Sequence, residues 1–176
     1  AIPEIEAALP GVPVIGVVEA GVTSVMTNIH DKKNVLVLGT QTTIHSKVYS
    51  QLIKGHQPSL QVHEQACPLL VPMIEGGWND HPVLKLVLKE YTETYLRLEP
   101  GVALLACTHY PWIKKQFELA LPKWKILNSA SAVAAQVTLV LGGPKSPKGK
   151  VSYEFSDKDA VSEGFLELNR LNRARE

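Results

Sequence analysis

The stretch VALLACTHYPWIKKQF, residues 102–117, sets a thiol and an imidazole two positions apart, Cys107 and His109, with Thr108 between them. An apolar run stops there, and Pro111 opens an amphipathic segment. A helix starting at Pro111 would aim unpaired backbone N–H groups at the preceding loop. Their partial positive charge and a neighbouring imidazolium favour thiolate over thiol, pulling a free cysteine down from its usual ~8.5 by a unit or more. Such a thiolate serves as a nucleophile or as a base that removes a proton. His109 is placed to pass a proton, and the same N–H groups suit a substrate carboxylate. The rival reading is a core cysteine, because cysteine is among the most often buried residue types.

Two further apolar runs end in polar groups. VLVLG leads into Thr40, Thr42 and Thr43, and LLVPMI leads into Glu75, Gly76 and Gly77. In a parallel sheet, ligands bind beyond the carboxyl ends of the strands. If these three runs are neighbouring strands, hydroxyls, a carboxylate, a thiol and an imidazole share one rim, where Glu75 could orient His109. Each group also has a plainer role: the threonines as helix caps, Glu75 as a turn residue. Cys67, in the apolar QACPLL, reads as structural. GTQTT lacks the glycines of a phosphate-cradling loop, and no lysine has a Schiff-base setting. Cys67, Cys107 and His109 match no standard zinc spacing.

The elements that must position these groups alternate. VPVIGVV, NVLVLG, LQVHEQA, LLVPMIE, VALLAC and KWKIL are the candidate strands, continuous in Val, Leu and Ile rather than alternating. Helical patterns lie between them. Ile44, Val48 and Leu52 form one stripe; Leu84, Leu88 and Tyr91 a second; Ile113, Phe117 and Leu121 a third. The alternation predicts an α/β fold, a parallel sheet flanked by helices. GGPKSPKG, residues 142–149, reads as an exposed loop, followed by a strand KVSYEF and a capped helix SDKDAVSEGFLELNRL.

A length of 176 residues suits one α/β domain or one domain with part of another. The net charge of +1 gives no electrostatic case for nucleic acid or an anionic membrane surface. Apolar runs fall short of the roughly 18 residues of a spanning helix. Two cysteines without a CxxC pair suit a reducing, cytoplasmic setting. The opening, AIPEIEAALPGVPVIGVVEAG, reads as the middle of a domain, so further sequence is expected upstream.

Taken in order, these segments resemble the glutamate racemases of the Asp/Glu racemase superfamily. LLACTHYP is similar to that family's Cys-Thr-His-Tyr-Pro signature, and VLVLGTQTTIHSKVY to its Gly-Thr-x-x-Thr-x-x-Ser-x-x-Tyr segment. ACPLLVPMIEGG resembles its Ala-Cys-Pro…Val-Pro…Glu segment, and VPVIGVVEAG also fits. The resemblance implies two α/β lobes with the site between them. It implies interconversion of L- and D-glutamate by two cysteines on opposite faces of the substrate Cα, without cofactor or metal, supplying D-glutamate for peptidoglycan. Such enzymes often form homodimers. By match to the motifs, Cys107 is the second catalytic cysteine, His109 its proton partner and Glu75 the support of His109. Thr108 and His109 contact substrate, and Thr40 and Thr43 help hold its amino or carboxylate groups.

The same resemblance divides the chain. Residues 1–11 are a remnant of the first lobe, 12–126 the second lobe carrying Cys107, and 127–176 the C-terminal return to the first lobe. The family's Cys-Asn-Thr-Ala segment, which carries the first catalytic cysteine, and its Asp-Ser-Gly and Pro-Tyr-Gly segments have no counterpart here. Asn128 stands where an aspartate is expected. The chain taken alone is therefore expected to be an inactive piece of a racemase. The alternatives are an aspartate- or hydantoin-type racemase, a non-catalytic protein that binds DNA gyrase as some family members do, and a cysteine hydrolase using Cys107 and His109.

Overall fold

The computed structural model describes residues 2–143. Four strands form one parallel sheet: β1 (Asn34–Gly39), β2 (Gln61–Ala66), β3 (Val102–Leu105) and β4 (Lys125–Asn128), in the order β2-β1-β3-β4. β1 and β3 lie inside the sheet and are buried along their whole length. Their unbroken Val/Leu runs follow from that, since both faces are covered. Successive side chains take opposite faces. Leu36, Leu38, Ala103 and Leu105 join one core with Leu70, Ile74, Leu84, Leu88, Ile113 and Phe117. Val35, Val37, Val102 and Leu104 join the other with Val22, Val25, Ile29, Tyr49 and Ile53.

The helices are α1 (Ile2–Ala8), α2 (Val17–Ile29), α3 (Gln41–His45), α4 (Val48–His56), α5 (Leu70–Glu75), α6 (Pro82–Thr92), α7 (Lys114–Ala120) and α8 (Ser129–Leu141). Short 3₁₀ turns occupy Glu93–Arg97 and Tyr110–Ile113. α1 buries none of its residues, while α8 packs along α2. Asn128 closes β4 and caps α8, its side-chain oxygen accepting the Ser131 N–H at 2.8 Å. Among the described residues, no helix is long and apolar enough to cross a membrane.

Four of the six expected strands are present; two are not strands. VPVIGVV runs into α2, whose Val22, Val25 and Ile29 repeat at helical spacing and are buried. LLVPMIE is α5, with Leu70 and Ile74 buried one helical turn apart. Pro72 lies in its first turn, where no intrahelical N–H bond is lost, whereas in a central strand it would break the ladder. One stripe also changes. Lys47 adopts a left-handed conformation, φ 57°, between α3 and α4. The helix phase resets there, so Tyr49 and Ile53 are buried while Leu52 is exposed. The other two stripes face the core: Leu84, Leu88, Ile113, Phe117 and Leu121 are buried, and Tyr91 packs half-buried against them. KVSYEF, the segment SDKDAVSEGFLELNRL expected to follow it as a helix, and most of GGPKSPKG lie outside the described residues.

Cys67 sits fully buried just past β2, its N–H donated to Gly39 O at 2.9 Å. Burial pushes its thiol from 9.0 up to about 12. The folded state thus holds this proton more tightly than the unfolded chain. The resulting stability is complete below about pH 9 and is lost as pH rises towards 12, on the order of 4 kcal/mol in all. Urea midpoints taken from pH 8 upward are expected to fall along that limb. Cys67→Ala should make the fall shallower, and an unchanged limb would contradict the assignment.

Candidate active site

Three chain segments meet at the carboxyl end of the sheet. The last sheet bonds there are Cys67 N–H to Gly39 O at 2.9 Å and Ala106 N–H to Leu38 O at 2.8 Å. They keep the loops after β2 and β3 tied to β1, on either side of it. Beyond β1 stands Thr40, which caps α3: its hydroxyl oxygen accepts the Thr43 N–H at 3.3 Å and lies 3.0 Å from the Thr43 hydroxyl. Beyond β3 comes Cys107, 9% exposed, followed by exposed Thr108 and half-buried His109.

The imidazole joins the thiol to a carboxylate. His109 Nδ1 lies 3.9 Å from Cys107 Sγ, and His109 Nε2 lies 2.9 Å from Glu75 Oε1. Glu75 is the last residue of α5, not a strand end as the sequence suggested, and it reaches the β3 loop sideways from the helix. The carboxylate accepts from Nε2–H, so in the neutral ring the Nδ1 lone pair faces the sulfur. That arrangement can accept a thiol proton on the ring, with the Glu75 carboxylate beside Nε2.

The backbone N–H groups of His109 and Tyr110 act on the Cys107 thiol to favour its thiolate, and the Tyr110 N–H is itself bonded to the Cys107 carbonyl at 3.2 Å. They come from the 3₁₀ turn Tyr110–Ile113 and the residue before it, since α7 begins only at Lys114. The expected lowering of the thiol is overturned. Burial raises Cys107 above its ordinary value, the nearby His109 and Tyr110 N–H dipoles offset part of that rise, and the Glu75 charge adds to it. The N–H dipoles are there, but desolvation outweighs them, because 9% exposure leaves little water to share the charge.

Cys107, His109 and Glu75 are thus brought together, and Thr40 with Thr43 stands at the neighbouring strand end. Among the described residues, no three His, Cys, Asp or Glu side chains are grouped to hold a metal ion. Sequence reasoning missed Tyr110. It is fully buried, and its hydroxyl donates to the Cys67 carbonyl at 3.1 Å. The signal was its place inside the CTHYP run, one residue from the imidazole.

The family model described as Asp/Glu/Hydantoin racemase matches residues 1–137. The chain belongs to this family. A glutamate racemase of Sulfurihydrogenibium sp. is 37% identical over 122 residues, which are 69% of this chain and 46% of that protein. The solved glutamate racemase of Thermus thermophilus, in complex with beta-chloro-D-alanine, is 32% identical with a TM-score of 0.71, over 96% of this chain and 63% of that one. The glutamate racemase of Francisella tularensis, in complex with D-glutamate, is 26% identical with a TM-score of 0.77, over 97% and 64%. The chain spans about half the length of the curated relatives it matches.

Proposed function

We propose that this chain supplies one side of a glutamate racemase site, with Cys107 as an acid/base at the substrate Cα. The observation that carries the reading is the Cys107–His109–Glu75 relay at the end of β3, with sulfur, imidazole and carboxylate in bonding range. Curated relatives at 32–40% identity are themselves glutamate racemases, which favours glutamate over other amino acids.

The chemistry follows from the relay. His109 takes the Cys107 proton, leaving thiolate. The thiolate removes the Cα proton: the C–H bond breaks, an S–H bond forms, and the electron pair passes into the substrate carboxylate. Inversion requires a proton from the opposite face. Cys67 cannot give it, being sealed beneath the rim, and the chain has only two cysteines. If the second acid/base is also a thiol, it is neither of the two cysteines of these 176 residues. Within this reading, β1–β4 and their helices form the lobe that carries Cys107, Thr40 and Thr43 hold the substrate amino or carboxylate group, and Thr108 lies against it. A cytoplasmic homodimer belongs to the same proposal.

A polypeptide containing this chain, given L-glutamate in D₂O, is expected to place deuterium at Cα and yield the D-enantiomer. The 176-residue chain by itself is expected to yield none. Faster exchange on aspartate would overturn the substrate assignment, and racemisation by the chain alone would overturn the one-sided site.

A further inference from the structure

The relay has an open end and a buried end. Glu75 is 45% exposed at its side chain, and His109 is 24% exposed. An ion pair so wetted holds geometry weakly on its own. Yet His109 Nε2 and Glu75 Oε1 come from different segments, the turn after β3 and the end of α5, and must stay at 2.9 Å for the ring to face the sulfur.

Tyr110 joins the same two segments from below. Its ring is fully buried beside Phe117, with centroids 5.7 Å apart. Its hydroxyl donates at 3.1 Å to the Cys67 carbonyl, which also accepts the Leu70 N–H at 3.3 Å as α5 begins. Its own N–H bonds the Cys107 carbonyl at 3.2 Å and closes the turn that carries the thiol. The chain from Cys67 through α5 to Glu75, across to His109, and on to Tyr110 is therefore a closed ring. Beside the shared packing of Leu70, Ile74 and Ile113, the ring is closed by a wet joint at His109–Glu75 and a dry one at Tyr110–Cys67. A buried hydroxyl–carbonyl bond is the more binding joint, because breaking it leaves a carbonyl and a hydroxyl away from water.

We propose that Tyr110 is a positioning residue of this site: its hydroxyl bond to the Cys67 carbonyl locks the start of α5 against the Cys107–His109 turn, and so registers Glu75 with the relay. Both partners of the bond are buried away from the rim. The proposal rests on reading Cys107, His109 and Glu75 as one acid–base set, which the test below probes without requiring racemisation.

The measurement is the pH profile of Cys107 alkylation by iodoacetamide in the full 176-residue chain. The titratable groups facing Cys107 are His109 on its own turn, Glu75 on α5, Cys67 and Tyr110 in the core, and Tyr49 on α4. Glu75→Gln is expected to move the wild-type profile. In the Tyr110→Phe background, which leaves the other groups in place, the same substitution should move it less, with a coupling of about threefold or more in rate. Phe117→Leu loosens the same core without touching the bond, and it should retain the full Glu75→Gln effect. A wild-type profile that ignores Glu75→Gln, or an effect of equal size with and without the Tyr110 hydroxyl, overturns the proposal. Should Tyr110→Phe not fold, 3,5-difluorotyrosine at position 110 keeps shape and donor while strengthening the donor. A Glu75→Gln effect indifferent to that change overturns the proposal as well. Failed deuterium uptake alongside an intact coupling would instead remove the racemase reading and leave the clasp standing.

Discussion

Replacing Cys107 by serine in a polypeptide that contains this chain is expected to lower glutamate racemisation roughly a thousandfold, the scale on which a positioned acid/base contributes. The change swaps one atom. The Tyr110 N–H bond to the carbonyl of residue 107 is untouched, so folding is expected to be unaffected by circular dichroism and urea midpoint. What is lost is acidity: a thiol ionises near ~8.5, whereas a hydroxyl holds its proton far more firmly. Because burial raises the Cys107 thiol, the wild-type rate should climb as pH rises towards and through that raised value, where thiolate becomes the major form. Serine should show no such limb. Alkylation offers an independent check, since the native chain should take up label at Cys107 and not at fully buried Cys67. A serine variant that retains exchange, or native labelling confined to Cys67, would refute the role given to Cys107.

Gly101→Ala is expected to cost the chain on the order of 3 kcal/mol or more, a large fraction of a domain's total stability. A Cβ on Gly101 would fall onto the Asn34 carbonyl oxygen and 2.7 Å from its carbonyl carbon. That backbone cannot easily yield. Asn34 starts β1, donates its side-chain amide to Glu99 O at 3.0 Å and lies 3.0 Å from His63 Nε2, while Gly101 O accepts the Lys125 N–H at 3.0 Å. Moving either residue disturbs the entry of β1, β3 and β4 together. Gly55→Ala is the matched control. It lies in α4 with nothing near an added Cβ, so it should gain up to about 1 kcal/mol from helix propensity. Urea midpoints that move alike for the two substitutions would contradict this account.

The strands that hold the site were legible because their composition matched their place. NVLVLG and VALL are apolar without alternation, and only a strand covered on both faces rewards that pattern. LLVPMIE is apolar for a different reason. A six-residue helix buried on one side gives the same short run as a strand, and periodicity over so few residues does not separate them. Pro72 was the residue that could have decided it, since a first-turn helix accepts proline and an inner strand does not. The stripe through Val48 and Leu52 failed because Lys47 turns left-handed, a break that an ordinary lysine does not announce.

The amino-acid sequence alone determined the chemistry on offer and its address: a thiol, an imidazole and hydroxyls just past apolar runs, in an α/β chain similar to glutamate racemases. Residue types and local order carry that much. Only the tertiary structure decided which groups touch. Glu75 reaches His109 from a helix end, and Tyr110 reaches Cys67 across 43 residues of chain, through contacts set by packing and not by spacing. It also decided the sign at the thiol. Neighbouring N–H groups follow from a short motif, but the loss of water around a sulfur depends on everything folded over it, and here that loss is the larger effect.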